Sequence, residues 1–143
     1  MIEVKAKTGV EMIRVLDEHD RELGIMTFYP SDLNLPARLD AGTKNIEEIL
    51  KGAREKALSM EKEAFLEEVP IIDSNIKAQL NYMFDTDISS VFGNTNLLTP
   101  TRNGFLVEGI LDAILPVIKD CIEKASKAVE AKKDKYLGVY KEC

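Results

Sequence analysis

The chain has 143 residues, 45% of them hydrophobic and 31% charged, a length that builds one core rather than two and a balance that excludes a disordered chain. Its net charge of −6 repels phosphate backbones and sets general nucleic-acid binding aside. No apolar run is long enough to cross a bilayer, and Glu3, Lys5 and Lys7 interrupt the first ten residues where a secretory signal would be continuous, so the expected location is the cytoplasm.

In chain order, Ile2, Val4 and Ala6 alternate with Glu3, Lys5 and Lys7 and predict a first strand. Met12 to Leu16 and Leu23 to Tyr29 are two further apolar runs around the polar stretch Asp17 to Glu22, which together predict a β-hairpin arm over residues 1–30. Pro30, Pro36 and Gly42 mark a linker over 31–42, in which Ser31 or Asp32 caps a helical turn carrying Leu33, Leu35 and Leu39.

Thr43 is the expected cap of the first long helix, where Ile46, Leu50, Ala53, Ala57, Met60 and Ala64 follow at steps of 4, 3, 4, 3 and 4. That is coiled-coil spacing, but fewer than three heptads do not hold an isolated coiled coil, so the seam must pack on a helix of the same or another chain. Pro70 is expected to stop this helix, with Asp73 or Ser74 capping the next, whose Ile76, Leu80, Met83 and Phe84 share one face. Asp85 ends that helix and Asp87 caps a short turn from Ile88 to Phe92.

The Gly- and Asn-rich stretch 93–104 reads as a loop offering a contact surface. The last helix carries the strongest pattern, a stripe from Val107 through Ile110, Leu111, Ile114, Ile118 and Ile122 to Val129, with a kink expected near Asp112 because Pro116 lacks the donor for that carbonyl. Residues 43–131 thus form the expected helical core, and the Lys-rich end 132–143 reads as a tail that stays mobile until a partner binds. The predicted fold is α+β, mainly α: an N-terminal hairpin arm, then a helical bundle with a long, Pro-kinked C-terminal helix.

Chemistry finds little to work with. The single histidine, His19, lies in a polar turn, and with Cys121 and Cys143 far apart there is no ligand set for zinc. Cys121 falls in the apolar stripe as a small core residue. Asp85-Thr86-Asp87 superficially resembles a magnesium-dependent phosphatase motif, yet the residues before it have helical spacing and no strand-helix alternation follows to build a parallel sheet. Neither Gly93 nor Gly104 opens a phosphate-binding loop, and Glu61, Glu63, Glu67 and Glu68 read as a solvated helix face. No enzyme activity, cofactor or metal is expected.

Three stretches taken together carry a resemblance: Phe28-Tyr29-Pro30-Ser31-Asp32-Leu33-Asn34 followed by Arg38; Ile88 to Phe92 with Gly93-Asn94; and the final helix ending Lys133-Asp134-Lys135-Tyr136. They resemble small tail-region proteins of tailed phages and prophages of Gram-positive bacteria, the tail assembly chaperones above all. The resemblance implies a non-enzymatic protein that shields hydrophobic tape-measure or tube segments, or joins the particle, in the bacterial cytoplasm or the virion. It transfers no site residue. The partners it implies are other copies of the chain, as a homo-oligomer, or phage tail proteins, with neither nucleic acid nor membrane. The interaction residues expected from the sequence are Ile46, Leu50, Ala53, Ala57 and Met60 of the seam, with Phe92 and Asn94 of the loop. The alternative is a host-directed intracellular adaptor or regulator.

Overall fold

A computed structural model describes the backbone of residues 1–141 and their side chains except at 89–90 and 131–141. Strands β1 (Glu11–Leu16) and β2 (Glu22–Phe28) form the antiparallel hairpin that the two apolar runs predicted. Alternation does the sorting: Val15, Met26 and Phe28 are buried, while Met12, Leu16 and Ile25 face out. An extra residue on β2 shifts the register between Val15 and Leu16. The connecting loop is fixed by Asp17, whose Oδ1 accepts the backbone N–H groups of His19 and Arg21, both at 2.9 Å. Those two bonds hold the Asp17 carboxyl below its ordinary pKa.

The strand expected at Ile2 to Ala6 does not form: residues 1–10 are exposed and lie outside regular structure. A period of two needs a neighbouring strand to be satisfied, and the chain presents none to this segment.

Helix α1 (Leu35–Ser59) begins eight residues before the expected cap at Thr43. The 31–42 linker is therefore only a short turn, and Thr43 and Gly42 lie inside the helix. Pro36 sits in the first turn, where its missing N–H has no partner to lose, and burial of Leu35 and Leu39 ties that turn to the core. The far end also differs from expectation. The helix stops at Ser59, Met60 is extended (φ −97°, ψ 153°), and α2 (Lys62–Phe84) turns back alongside α1. Asn45 meets Gln79 and Lys56 meets Glu68, pairs whose numbers run in opposite directions as an antiparallel helical hairpin requires. Reversal at Met60 lets Ile72, Ile76, Leu80 and Met83 bury against Ile46, Leu50 and Ala53, which a single straight helix could not do.

Pro70 does not stop α2 but sits within it. Pro70 and Leu66 are both exposed, so the Leu66 carbonyl deprived of its donor faces water. Asp73 and Ser74, expected as caps, are interior to the same helix. Ser74 Oγ donates back to the Pro70 carbonyl at 3.0 Å. Asp85 does end α2, in the left-handed conformation at φ 53°.

A single turn, α3 (Ser89–Phe92), then packs beside β2, and a minimal hairpin of β3 (Pro100–Thr101) and β4 (Gly104–Phe105) leads into α4 (Leu106–Lys141). Within the stretch read as an open loop, Leu97 and Leu98 are buried. Asp73 is the anchor: its Oδ1 accepts the Leu97 N–H at 2.8 Å while its Oδ2 pairs with Lys77 at 2.8 Å. Asp73→Ala leaves the buried Leu97 N–H without its acceptor and is expected to destabilise the fold by about 1–3 kcal/mol, with Asp73→Asn losing less. Urea denaturation of the three chains checks this; equal midpoints would show that Asp73 does not hold the loop.

Helix α4 runs unbroken through Pro116. Pro116 and Asp112 are both on the exposed side, so the unpaired carbonyl is again open to solvent. Its first turn is capped by Glu108, whose Oε1 accepts the Phe105 N–H at 3.0 Å. The tail expected at 132–143 has a helical backbone as far as Lys141, and the remainder of that expectation, with Cys143, lies outside the described residues. The architecture is α+β and mainly α, 59% helical, with the hairpin laid on a helical core. No helix among the described residues is long and apolar enough to cross a membrane.

Candidate protein-binding groove

The stripe of α4 is buried over its first third and then runs out of the core. Val107 and Ile118 are fully buried, Cys121 and Ile122 half-buried, and Val129 is 55% exposed. The reason is the antiparallel register of α4 against α1. Near its start, Glu108 Oε1 meets Arg54 Nη2 at 2.6 Å, and the Arg54 guanidinium lies 5.0 Å over the ring of Phe105. Further on, Leu115 and Ile122 line one depression with Leu39 and Pro36 from the beginning of α1. Helix α1 starts at Leu35, so among the described residues Ala125 and Val129 face α1 only at Pro36, and the turn from Pro30 to Leu33 supplies the rest of the opposite wall.

Two depressions join along this line. One of about 350 Å³ lies between Pro36, Leu39 and Thr43 on α1 and Leu115, Lys119 and Ile122 on α4. The other, about 370 Å³, lies between Pro30 and Leu33 and the α4 residues Ile122, Ala125 and Val129. Pro36 and Ile122 belong to both, so together they make one groove, apolar along its floor. On α4 the floor residues Leu115, Ile122, Ala125 and Val129 recur at helical spacing, which suits a second helix laid alongside. At the rim Leu33 is 95% exposed, an extreme value for a leucine.

The turn carrying Leu33 is held rigidly. Asp32 Oδ2 accepts from Arg38 Nη2 at 2.8 Å, Asp32 Oδ1 accepts the Asn34 N–H at 2.9 Å, and Arg38 Nε donates to the Met83 carbonyl at 3.4 Å. The Arg38 guanidinium, then the Asn34 N–H, holds the Asp32 carboxyl below its ordinary 3.8. With its folded pKa lowered, this link is fully present above the ordinary value and is given up only in acid, as pH falls through the lowered one. Leu33 is thus presented outward by a turn that is itself locked to α1 and α2.

The interaction residues expected from the sequence lie elsewhere. Ile46, Leu50 and Ala53 are buried against α2 of the same chain, and Phe92 is buried beneath the hairpin. In the single chain those four side chains are covered by its own residues. Ala57 is exposed, Met60 is half-buried in the turn between the helices, and Asn94 is exposed; none of the three lines the groove. What the sequence reading missed was Leu33 with Ile122, Ala125 and Val129. The signal was present: the α4 stripe runs longer than any facing helix, and Leu33 stands in a polar Pro-flanked turn.

Chemical groups do not converge in the same way. Asp85 is an exposed helix terminus and His19 an exposed loop residue beside Glu18. Among the described residues no three His, Cys, Asp or Glu side chains come together to hold a metal ion. No family model, curated protein or solved structure matches the chain.

Proposed function

We propose that this protein is a non-enzymatic binding factor that shields an apolar helical segment of a partner protein, the role of a tail assembly chaperone in the phage setting its sequence resembles. The observation that carries this reading is the α4 stripe continuing past the end of α1 into an open groove, with Leu33 fully presented at its rim. The occupant best fitted to it is an amphipathic helix whose apolar residues at i, i+3, i+4 and i+7 run along α4 and take the place that a longer α1 would have filled. Hydrophobic tape-measure segments have that chemistry. The groove walls carry both signs, Asp40 against Lys119 and Asp32 paired to Arg38, so apolar contact rather than net charge selects the client.

Leu33→Asp with Val129→Asp tests the reading, because both side chains are exposed and their replacement leaves the core intact. Binding of a fluorescein-labelled Leu-rich amphipathic helical peptide, followed by anisotropy, is expected to weaken at least tenfold in this variant, roughly the effect of removing one buried leucine from an interface. Equal binding by both chains, or no binding by either, would remove the groove as a client site.

A further inference from the structure

The first ten residues are a strand pattern without a strand. Ile2, Val4 and Ala6 alternate with Glu3, Lys5 and Lys7, all are exposed, and among the described residues none makes a backbone hydrogen bond to them. They lead directly into β1, which is itself an edge: its single strand partner is β2. Backbone groups along that edge are set by the ladder. The Asp17 N–H donates across the hairpin to the Arg21 carbonyl at 2.9 Å, so odd-numbered positions of β1 bond towards β2 and the groups of Val10, Met12 and Arg14 line the open side.

We propose that residues 2–7 of a second copy of this chain add to that edge as a third, antiparallel strand, with Ile2 opposite Val15, Glu3 opposite Arg14 and Val4 opposite Ile13, each copy giving its arm to the other. This does not depend on the groove. Three independent features meet in that one register. Ile2 and Val4 fall on the same face as Ile13 and Val15, the half-buried and buried side of β1, whereas a shift by one residue in either direction would place the Glu3 carboxylate there, in one case with Lys5. Glu3 comes beside Arg14, whose guanidinium already holds Glu22 at 2.9 Å and would sit between two carboxylates. The depression of about 480 Å³ that opens at Val15, with Phe92, Leu106 and Ile110 in its wall, lies where Ile2 would project.

The same register could in principle be reached by folding the arm back on its own β1, and turn chemistry argues against that. The two central residues would be Thr8 and Gly9, with Gly9 at φ +76°. Type I′ needs a positive φ at both, which β-branched Thr8 resists, and type II′ needs glycine first. What remains is a type II turn, which splays the two strands rather than pairing them. An arm that matches β1 but cannot close on its own copy is suited to reciprocal exchange, which makes a closed two-fold dimer.

Cysteine crosslinking decides the matter. With Cys121→Ser and Cys143→Ser in place, one chain carries Val4→Cys and a second, distinguishable by a tag, carries Ile13→Cys. Mixed and oxidised, they are expected to give a disulfide-linked hybrid. A chain lacking residues 1–8 is expected to keep its helical circular dichroism and run as a monomer where the full chain runs as a dimer. Glu3→Arg in the full chain, which sets like charges together at two symmetric places, should raise the dimer dissociation constant about tenfold. Absence of the hybrid overturns the proposal, as does a doubly substituted chain that forms only an intrachain bond, which would mean that each arm covers its own β1.

Discussion

Leu50→Glu is expected to unfold the single chain rather than to alter its association. Leu50 is 4% exposed in the middle of α1 and packs among Ile46, Ala53, Ile76 and Leu80 in one continuous core. Among the described residues no charged side chain is buried in that core, so an introduced carboxylate finds no cation and no compensating donors there. Losing a buried leucine forfeits about 1.5–3 kcal/mol, and burying an unpaired acid adds to it, for a total of about 4 kcal/mol or more. That is from about a quarter to most of the stability of a typical domain, about 5–15 kcal/mol. Circular dichroism through a urea titration, beside size-exclusion chromatography with light scattering, separates the two possibilities. A lost or strongly shifted transition is the expected result. A native midpoint with a smaller particle would instead make the seam from Ile46 to Met60 an interface between copies.

That prediction turns on what heptad spacing does and does not say. Of the steps from Ile46 to Ala64, the first three residues, Ile46, Leu50 and Ala53, do mark a buried helix face, whereas Ala57 is exposed and the helix ends before Met60; the pattern carries no information about which helix covers that face. The answer lay in the next segment, where Ile72, Ile76, Leu80 and Met83 form a complementary face that can reach the first only if the chain reverses. Sequence reading hid that reversal by assigning the stop to Pro70. The real break, at Met60, has neither proline nor glycine, and Pro70 is tolerated because its deprived carbonyl faces water. Pro116 is likewise carried inside α4, where the apolar stripe had already placed it within a continuing helix. The hairpin, by contrast, was readable because alternation, the polar Asp17 to Glu22 stretch and the buried ends Met26 and Phe28 all agree.

The candidate groove was less legible for a related reason. A stripe on a long helix reads as core along its whole length, and only the start of α1 at Leu35 decides where that stripe stops being covered. The start is fixed by tertiary contacts of Leu35, Leu39 and Arg38, not by a capping side chain: Asn34, at the cap position, makes no capping hydrogen bond. Local cap chemistry pointed to Thr43 instead, and on that boundary the groove would not exist.

Gly42 is where that early start is packed most tightly, and Gly42→Leu is expected to lower stability by about 3 kcal/mol. Position 42 is buried in α1 directly against Met83, which is itself 0% exposed. A Cβ there would overlap the Met83 side chain at Cγ and come within 2.7 Å of Sδ, so the two helices approach this closely only because residue 42 has no side chain. Gly52, nearly three turns along the same helix, has nothing within 4 Å of the corresponding point. Gly52→Ala should therefore stabilise the protein by up to about 1 kcal/mol through helix propensity alone. The decisive chain is the double variant. Met83→Ala by itself leaves a cavity and is expected to cost about 2–5 kcal/mol, but in its presence the leucine at position 42 has room to turn into the vacated space. Gly42→Leu with Met83→Ala should then be more stable than the sum of the single losses by about 1–3 kcal/mol. Strict additivity in urea denaturation would mean that α1 and α2 do not meet at this pair, and with it would go the register that places Leu33 and the start of α1 beside α4.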